Sequence, residues 1–150
     1  MKAAVLKEVG SSPVIEIIQV DDPIAIEENV VIKVDAVGLC HHDVAVMKGI
    51  LRRGVKGDII LGHEISGTIV DTGLVSNELS VGDRVVASLT NFCGTCEVCQ
   101  TGVTYRCPNS HGLGHGIDGG FREYITVHPR NLVRVDPLSN AVGTSIYGCP

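Results

Sequence analysis

Four cysteines crowded into 15 residues constrain this 150-residue chain more than any other feature of its sequence. The segment 93–99 reads Cys-Gly-Thr-Cys-Glu-Val-Cys, and the fourth cysteine follows at position 107. Four thiolates at such short spacings can fold a loop around one tetrahedral metal ion. Because sulfur would take all four positions, no position remains for a substrate. The spacing therefore predicts a structural zinc lobe over about residues 90–110, with the ligands Cys93, Cys96, Cys99 and Cys107.

Two alternatives to zinc stay open for this cluster. The first is a set of free buried cysteines or a disulfide pair, although cysteines so concentrated in an intracellular protein favour a metal. The second is iron, which binds the same set of four sulfurs. The two other cysteines, Cys40 and Cys149, stand alone in the sequence.

The rest of the chain is predicted to be mainly β. Val and Ile supply 36 residues against 10 Leu and 7 Ala, and branching at Cβ favours strands over helices. The helical signal is limited to residues 43–48, a turn within the cysteine cluster and a start near Ser139. Many short strands in one domain-sized chain favour a barrel or a sandwich. The predicted strands are Val14–Val20, Val30–Val37, Ile59–Leu61, Ile65–Asp71, Arg84–Leu89, Phe121–Val127 and Leu132–Val135.

Charge and hydropathy exclude several classes of function. Twelve basic and 17 acidic side chains give a formal net charge of −5, so no nucleic-acid partner is expected. No apolar run approaches the roughly 20 residues that cross a bilayer, and the first ten residues are too short for the apolar region of a signal peptide. We expect no membrane partner and a cytoplasmic location.

Three further motifs accompany the cysteine cluster. Residues 38–43 read Gly-Leu-Cys-His-His-Asp, residues 62–67 read Gly-His-Glu-Ile-Ser-Gly, and residues 118–124 read Asp-Gly-Gly-Phe-Arg-Glu-Tyr. With these motifs the whole chain resembles the zinc-dependent medium-chain alcohol dehydrogenase family. The resemblance implies that residues 1–150 form a GroES-like, partly open β-barrel with short helices and a structural zinc lobe. In the family this catalytic domain precedes a nucleotide-binding domain, which we expect to be absent from this chain.

The resemblance also implies a second, catalytic zinc ion. Its ligands would be Cys40, His63 and Cys149, with one position left for water or alcohol. Asp43 resembles the carboxylate that accepts a hydrogen bond from the ligand histidine, and a helix N-cap is the alternative. Glu64 resembles a carboxylate that approaches the metal when its ligands exchange, and a solvated or salt-bridged glutamate is the alternative.

Two adjacent histidines follow the first ligand of that site. Where the family usually has Ser or Thr two residues after the ligand cysteine, this chain has His42, which we assign to the relay of the alcohol proton. His41 resembles a position that contacts the pyrophosphate of the cofactor. The alternative for His41 is an exposed histidine without function.

One glycine pattern is misleading. Residues 114–119 match G-x-G-x-x-G, but no strand precedes them and a predicted strand, not a helix, follows. We therefore predict a glycine-rich turn and no dinucleotide site. His111, His115 and His128 have no ligand-like spacing, and we predict that they are surface residues.

These features together predict an enzyme. In the intact protein, zinc and NAD or NADP would oxidise a small-molecule alcohol to an aldehyde or ketone, and the full-length enzyme would form homo-oligomers. The chain of 150 residues alone would bind zinc without dehydrogenase activity. The alternatives are a polyol, sugar or threonine dehydrogenase of the same family, and a zinc-stabilised structural or interaction module without catalysis.

Overall fold

The computed structural model describes residues 1–26, 28–74 and 79–135. The helix predicted near Ser139 and the predicted ligand Cys149 lie outside the described residues. Within these residues there are two short α-helices, α1 (His41–Met47) and α2 (Glu97–Gln100), and two 3-10 turns at Thr104–Arg106 and Pro129–Asn131. The strands are β1 (Lys2–Glu8), β2 (Val14–Gln19), β3 (Val30–Gly38), β4 (Glu64–Asp71), β5 (Arg84–Ala87), β6 (Thr90–Asn91), β7 (His111–Gly112), β8 (Tyr124–Val127) and β9 (Leu132–Arg134).

The main sheet has five antiparallel strands in the order β8-β3-β4-β5-β9. Its register places Ile32 of β3 opposite Ile69 of β4 on one side and Ile125 of β8 on the other. All three side chains are buried at the centre of the main hydrophobic core. Burial of one such side chain contributes about 1.5–3 kcal/mol. Lys33 and Asp35 of β3 are exposed to solvent.

A second sheet holds the amino-terminal end of the chain against this core. Strands β1 and β2 pair as an antiparallel ladder, and β1 was not among the predicted strands. The predicted strand Ile59–Leu61 is wrong, because these residues make one isolated bridge, between Ile60 and Val5. Their backbone bonds instead with residues 119–121, and Gly62 then turns the chain with a φ of +88°.

The cysteine cluster lies on an excursion between two short paired strands. Strands β6 and β7 form this pair, with Thr90 opposite Gly112. Helix α2 and the 3-10 turn Thr104–Arg106 lie between them, so the turn predicted within the cluster is confirmed. The prediction of a mainly β chain with short helices is likewise confirmed. Among the described residues, no helix combines the length and the hydropathy needed to span a membrane.

Candidate functional site

The four clustered sulfurs all lie within 4.8 Å of one another. The Sγ atom of Cys107 is 3.6 Å from that of Cys93 and 3.9 Å from that of Cys96, while the Sγ atoms of Cys93 and Cys99 are 4.0 Å apart. Zn–S bonds of about 2.3 Å at tetrahedral angles place sulfurs about 3.8 Å apart. A disulfide needs a separation of about 2.05 Å. The donor set therefore fits a single tetrahedral metal ion and excludes a disulfide among these sulfurs.

The lobe gives its cysteines different environments. Backbone hydrogen bonds from Thr95 and Cys96 lower the pKa of Cys93 to about 5. Burial raises the pKa of Cys99 to about 12. Cys93 thus already favours the thiolate that a metal binds, whereas Cys99, inside α2, depends on the metal for its deprotonation.

Arg130 ties this lobe to the body of the domain. Its guanidinium donates a hydrogen bond to the carbonyl oxygen of Cys93 and lies 3.4 Å from a carboxylate oxygen of Glu28. The same carboxylate is 2.9 Å from Nε2 of His128, and this hydrogen bond lowers the pKa of Glu28. His128, predicted as a surface residue, is half-buried and belongs to this anchor.

A second set of metal-ligating groups is built from distant segments. Cys40 is the N-cap residue of α1, directly after β3, and His63 directly precedes β4. Strands β3 and β4 are paired with Gly38 opposite Glu64, and this register brings the two segments together. One ligand atom each from Cys40, His63 and Glu64 lies within 4.8 Å of the others. His63 is buried, and the sulfur-bearing Cys40 is half-buried. We call Cys40, His63 and Glu64 the dispersed site.

Asp43 holds both halves of the dispersed site. Its carboxylate is fully buried and accepts one hydrogen bond from the backbone N–H of Cys40, at 2.9 Å, and another from that of Gly62, at 3.0 Å. Its distance to Nδ1 of His63 is 3.8 Å. The resemblance implied a hydrogen bond between Asp43 and His63, but this distance exceeds the hydrogen-bond range. Asp43 therefore acts mainly on the backbone, and it closes the first turn of α1 as its third residue, not as its N-cap.

Glycines let the backbone close around His63 and Glu64. A side chain at Gly38 would collide with Glu64. On the other side, the glycine-rich turn 114–119 and the residues after it approach the segment before His63: the N–H of Gly119 donates to Ile60, at 2.6 Å, and that of Gly120 to Gly62, at 2.7 Å. A Cβ at Gly119 would overlap the carbonyl groups of this segment. Close packing thus accounts for Gly114 and Gly119 of the pattern that imitates a dinucleotide motif, and strand β8 follows as predicted.

The two predicted α1 histidines have different environments. His41 is exposed at the first residue of the helix. His42 is half-buried, with its ring centroid 5.1 Å from that of His63 in an edge-on arrangement. Burial lowers the pKa of His42, and repulsion from His63 and His115 acts in the same direction. The structure thus places His42, and not His41, beside the dispersed site.

His115 is a neighbour of the site that the sequence did not reveal. His115, predicted as a surface residue, is half-buried, and its ring centroid lies 5.1 Å from that of His42. Its Nε2 is 2.9 Å from the carbonyl oxygen of Arg53. No spacing in the sequence relates His42, Arg53 and His115. Only the packing of the glycine-rich turn brings them together, whereas His111 is exposed as predicted.

Comparison with known proteins gives consistent matches. The family model described as alcohol dehydrogenase GroES-like domain matches residues 26–137. An alcohol dehydrogenase of Geobacillus stearothermophilus is 38% identical, over 98% of this chain and 45% of that protein. An L-threonine 3-dehydrogenase of Cutibacterium acnes is 32% identical, over 97% of this chain and 46% of that protein. A crystal structure of an NAD-dependent alcohol dehydrogenase superposes with a TM-score of 0.89 at 30% identity, over 98% of this chain and 43% of that one. The chain thus spans less than half the length of these relatives.

Loss of the Arg130 anchor should make the metal of the lobe easier to remove. In a Cys40→Ser background, which disables the dispersed site, Arg130→Ala is expected to speed zinc transfer to a chelator roughly two- to fivefold, since it removes a charged hydrogen bond to a ligand's backbone. Arg134→Ala, a change of an exposed arginine on the neighbouring strand β9, is the matched control. The measurement is the rate of zinc transfer to a coloured chelator. Equal rates for both variants and the parent would contradict the anchoring role.

Proposed function

The chain belongs to the family of alcohol dehydrogenase GroES-like domains, and on this premise we propose that it is the metal-binding catalytic part of a zinc-dependent alcohol dehydrogenase. One observation carries the proposal: Cys40, His63 and Glu64 converge on one point although a separate four-sulfur lobe already provides a structural metal site. A protein that needed zinc for stability alone would have no use for a second, dispersed set of ligands.

The dispersed site has the donor types of a catalytic zinc centre. Thiolate and imidazole are zinc ligands, and catalytic sites of this kind take three protein ligands and keep one position open. We assign Cys40 and His63 as two ligands and Cys149 as the third. Zinc bound there would act as a Lewis acid that lowers the pKa of an alcohol hydroxyl. Glu64 lies close enough to Cys40 and His63 to replace a departing ligand.

The other residues of the site have supporting roles in this proposal. Asp43 fixes the backbone of the Cys40 and His63 segments, so the ligand geometry is set before the metal binds. His42 lies beside His63 and accepts the alcohol proton as the hydroxyl ionises. NAD or NADP would supply the acceptor for the hydride; a nucleotide-binding domain outside residues 1–150 would hold most of it, and His41 would lie at the edge of the cofactor site. We further propose that the intact enzyme is cytoplasmic and homo-oligomeric.

The relatives' names fit a dehydrogenase but differ in substrate. The proteins matched above act, by name, on an alcohol and on L-threonine. The reaction class is therefore carried over to this chain, whereas the particular alcohol is not. The competing function, a zinc-stabilised interaction module, does not account for the convergence of Cys40, His63 and Glu64.

A matched pair of ligand variants tests the proposal in the intact protein. The parent is expected to contain two zinc ions per protomer and to oxidise alcohols with NAD or NADP. Cys40→Ser removes a ligand of the dispersed site, so it should lower the content to one zinc and abolish oxidation without unfolding the protein. Cys96→Ser breaks the four-sulfur lobe, so its main effect should be a lower melting temperature. Zinc analysis, an NAD(P)H absorbance assay and thermal unfolding measure these effects. Two zinc ions without oxidation of any alcohol, or full activity of Cys40→Ser, would contradict the proposal.

A histidine series tests the proton relay. Transfer of a proton by a positioned side chain contributes about 10²–10⁴-fold to rate, so His42→Ala should lower kcat by roughly 10²-fold or more at unchanged zinc content. His42→Thr places a hydroxyl next to the site, where the family usually has Ser or Thr, and should keep most of the activity. The exposed residue His111 offers the control, His111→Ala. If His42→Ala has the same kcat as the parent, or if His42→Thr is as impaired as His42→Ala, the relay role is wrong.

A further inference from the structure

The loop after α1 is strongly basic in an otherwise acidic chain. Residues 48–56, which we call the basic loop, contain Lys48, Arg52, Arg53 and Lys56 and no carboxylate. These nine residues hold four of the twelve cations of a chain whose net charge is −5. All four side chains are exposed. Such a local concentration of positive charge attracts anions even when the whole protein repels them.

Two arginines of this loop have no anionic partner among the described residues. Lys56 is paired with Asp118, at 2.5 Å, and the nearby Asp58 is already paired with Lys7, at 2.7 Å. The Arg52 guanidinium donates only to the carbonyl oxygen of Gly49. The Arg53 guanidinium makes no hydrogen bond and no ion pair within the part of the chain that the structure describes. Arginines without a carboxylate partner are suited to an oxyanion from outside, because a guanidinium group binds an oxyanion in a bidentate manner.

The backbone connects these arginines to the dispersed site. The carbonyl oxygen of Arg53 is 2.9 Å from Nε2 of His115, and the N–H of Lys56 donates to the carbonyl oxygen of His115 at 2.8 Å. The His115 ring packs on that of His42, which in turn packs on that of His63. The basic loop therefore lies directly outside the pair of histidines that leads to the metal ligands.

We propose that the substrate is an alcohol with an oxyanion, a phosphate or a carboxylate, at the end remote from the reacting hydroxyl, and that Arg53 and Arg52 bind this oxyanion. This inference rests on the proposed function, because it assigns the reacting hydroxyl to the dispersed site. Arg53 thereby becomes a specificity-determining residue: it selects the charged end of the substrate and takes no part in the oxidation.

Three substrates with one carbon skeleton test this inference in the intact enzyme. They are 1,4-butanediol, 4-hydroxybutyrate and 4-hydroxybutyl phosphate, assayed with both NAD and NADP. At least one anionic substrate should have a higher kcat/KM than the diol, and the two anions distinguish a carboxylate from a phosphate site. A charged hydrogen bond contributes about 1.5–3 kcal/mol, so Arg53→Ala should lower kcat/KM for the preferred anion about tenfold or more, mainly through KM, and by more than for the diol. Lys33→Ala, an exposed cation on β3, should leave the preference unchanged.

The outcomes separate this inference from the proposed function. Oxidation of the diol without any preference for an anion, or an Arg53→Ala effect equal on diol and anion, overturns the inference and leaves the dehydrogenase intact. If none of the three substrates is oxidised with either dinucleotide, the proposed function is decided by the zinc content and activity of the ligand variants above and not by these assays. Calorimetric titration of 4-hydroxybutyl phosphate and 4-hydroxybutyrate into the zinc-loaded protein then decides the inference by itself. Binding of either anion that Arg53→Ala weakens supports it, and no binding of both anions overturns it.

Discussion

The buried carboxylate of Asp43 is the contact on which the arrangement of the dispersed site depends. It takes a hydrogen bond from the amide of Cys40 at one oxygen and from the amide of Gly62 at the other. Each hydrogen bond to a charged group contributes about 1.5–3 kcal/mol, and the loss of one leaves a buried charge uncompensated. Because Gly62 directly precedes His63, this one side chain fixes the spacing between the first and the second metal ligand.

The two candidate metal sites of this chain are stabilised in different ways. The four-sulfur lobe is a local structure, in which 15 consecutive residues supply every ligand and metal binding does much of the folding. The dispersed site is a tertiary structure, in which the β3–β4 register, Asp43 and the close approach of Gly119 to the 60–62 segment arrange the ligands. A rigid barrel framework can hold such ligands without enclosing the metal on all sides, which a catalytic centre requires and a structural centre does not.

This difference also decides what could be predicted from the sequence. The lobe was predictable because ligand spacing alone determines it, and most strands of the main sheet were predictable because they are short runs rich in Val and Ile. The isolated bridge at Ile60 could not be separated from a strand, because its apolar run is the same while its hydrogen bonds go to residues 119–121. The position of His115 beside His42, and that of Arg53 beside His115, result from long-range packing that leaves no local pattern. Family resemblance supplied the candidate ligands Cys40 and His63, since one histidine and one cysteine 23 positions apart are not a recognisable pattern by themselves.

The central claim is that Asp43 organises the dispersed site through two backbone amides, and X-ray absorption at the zinc edge of an Asp43→Asn variant tests it most directly. Asparagine has the same shape but turns one acceptor into a donor, which would face an amide N–H instead of accepting from it. The claim predicts a variant that keeps one zinc ion with four sulfur neighbours and has lost the ion with mixed sulfur and nitrogen or oxygen neighbours. Asp35→Asn, a change of an exposed carboxylate on β3, should keep both ions. Two fully bound ions with unchanged neighbours in Asp43→Asn would contradict the claim.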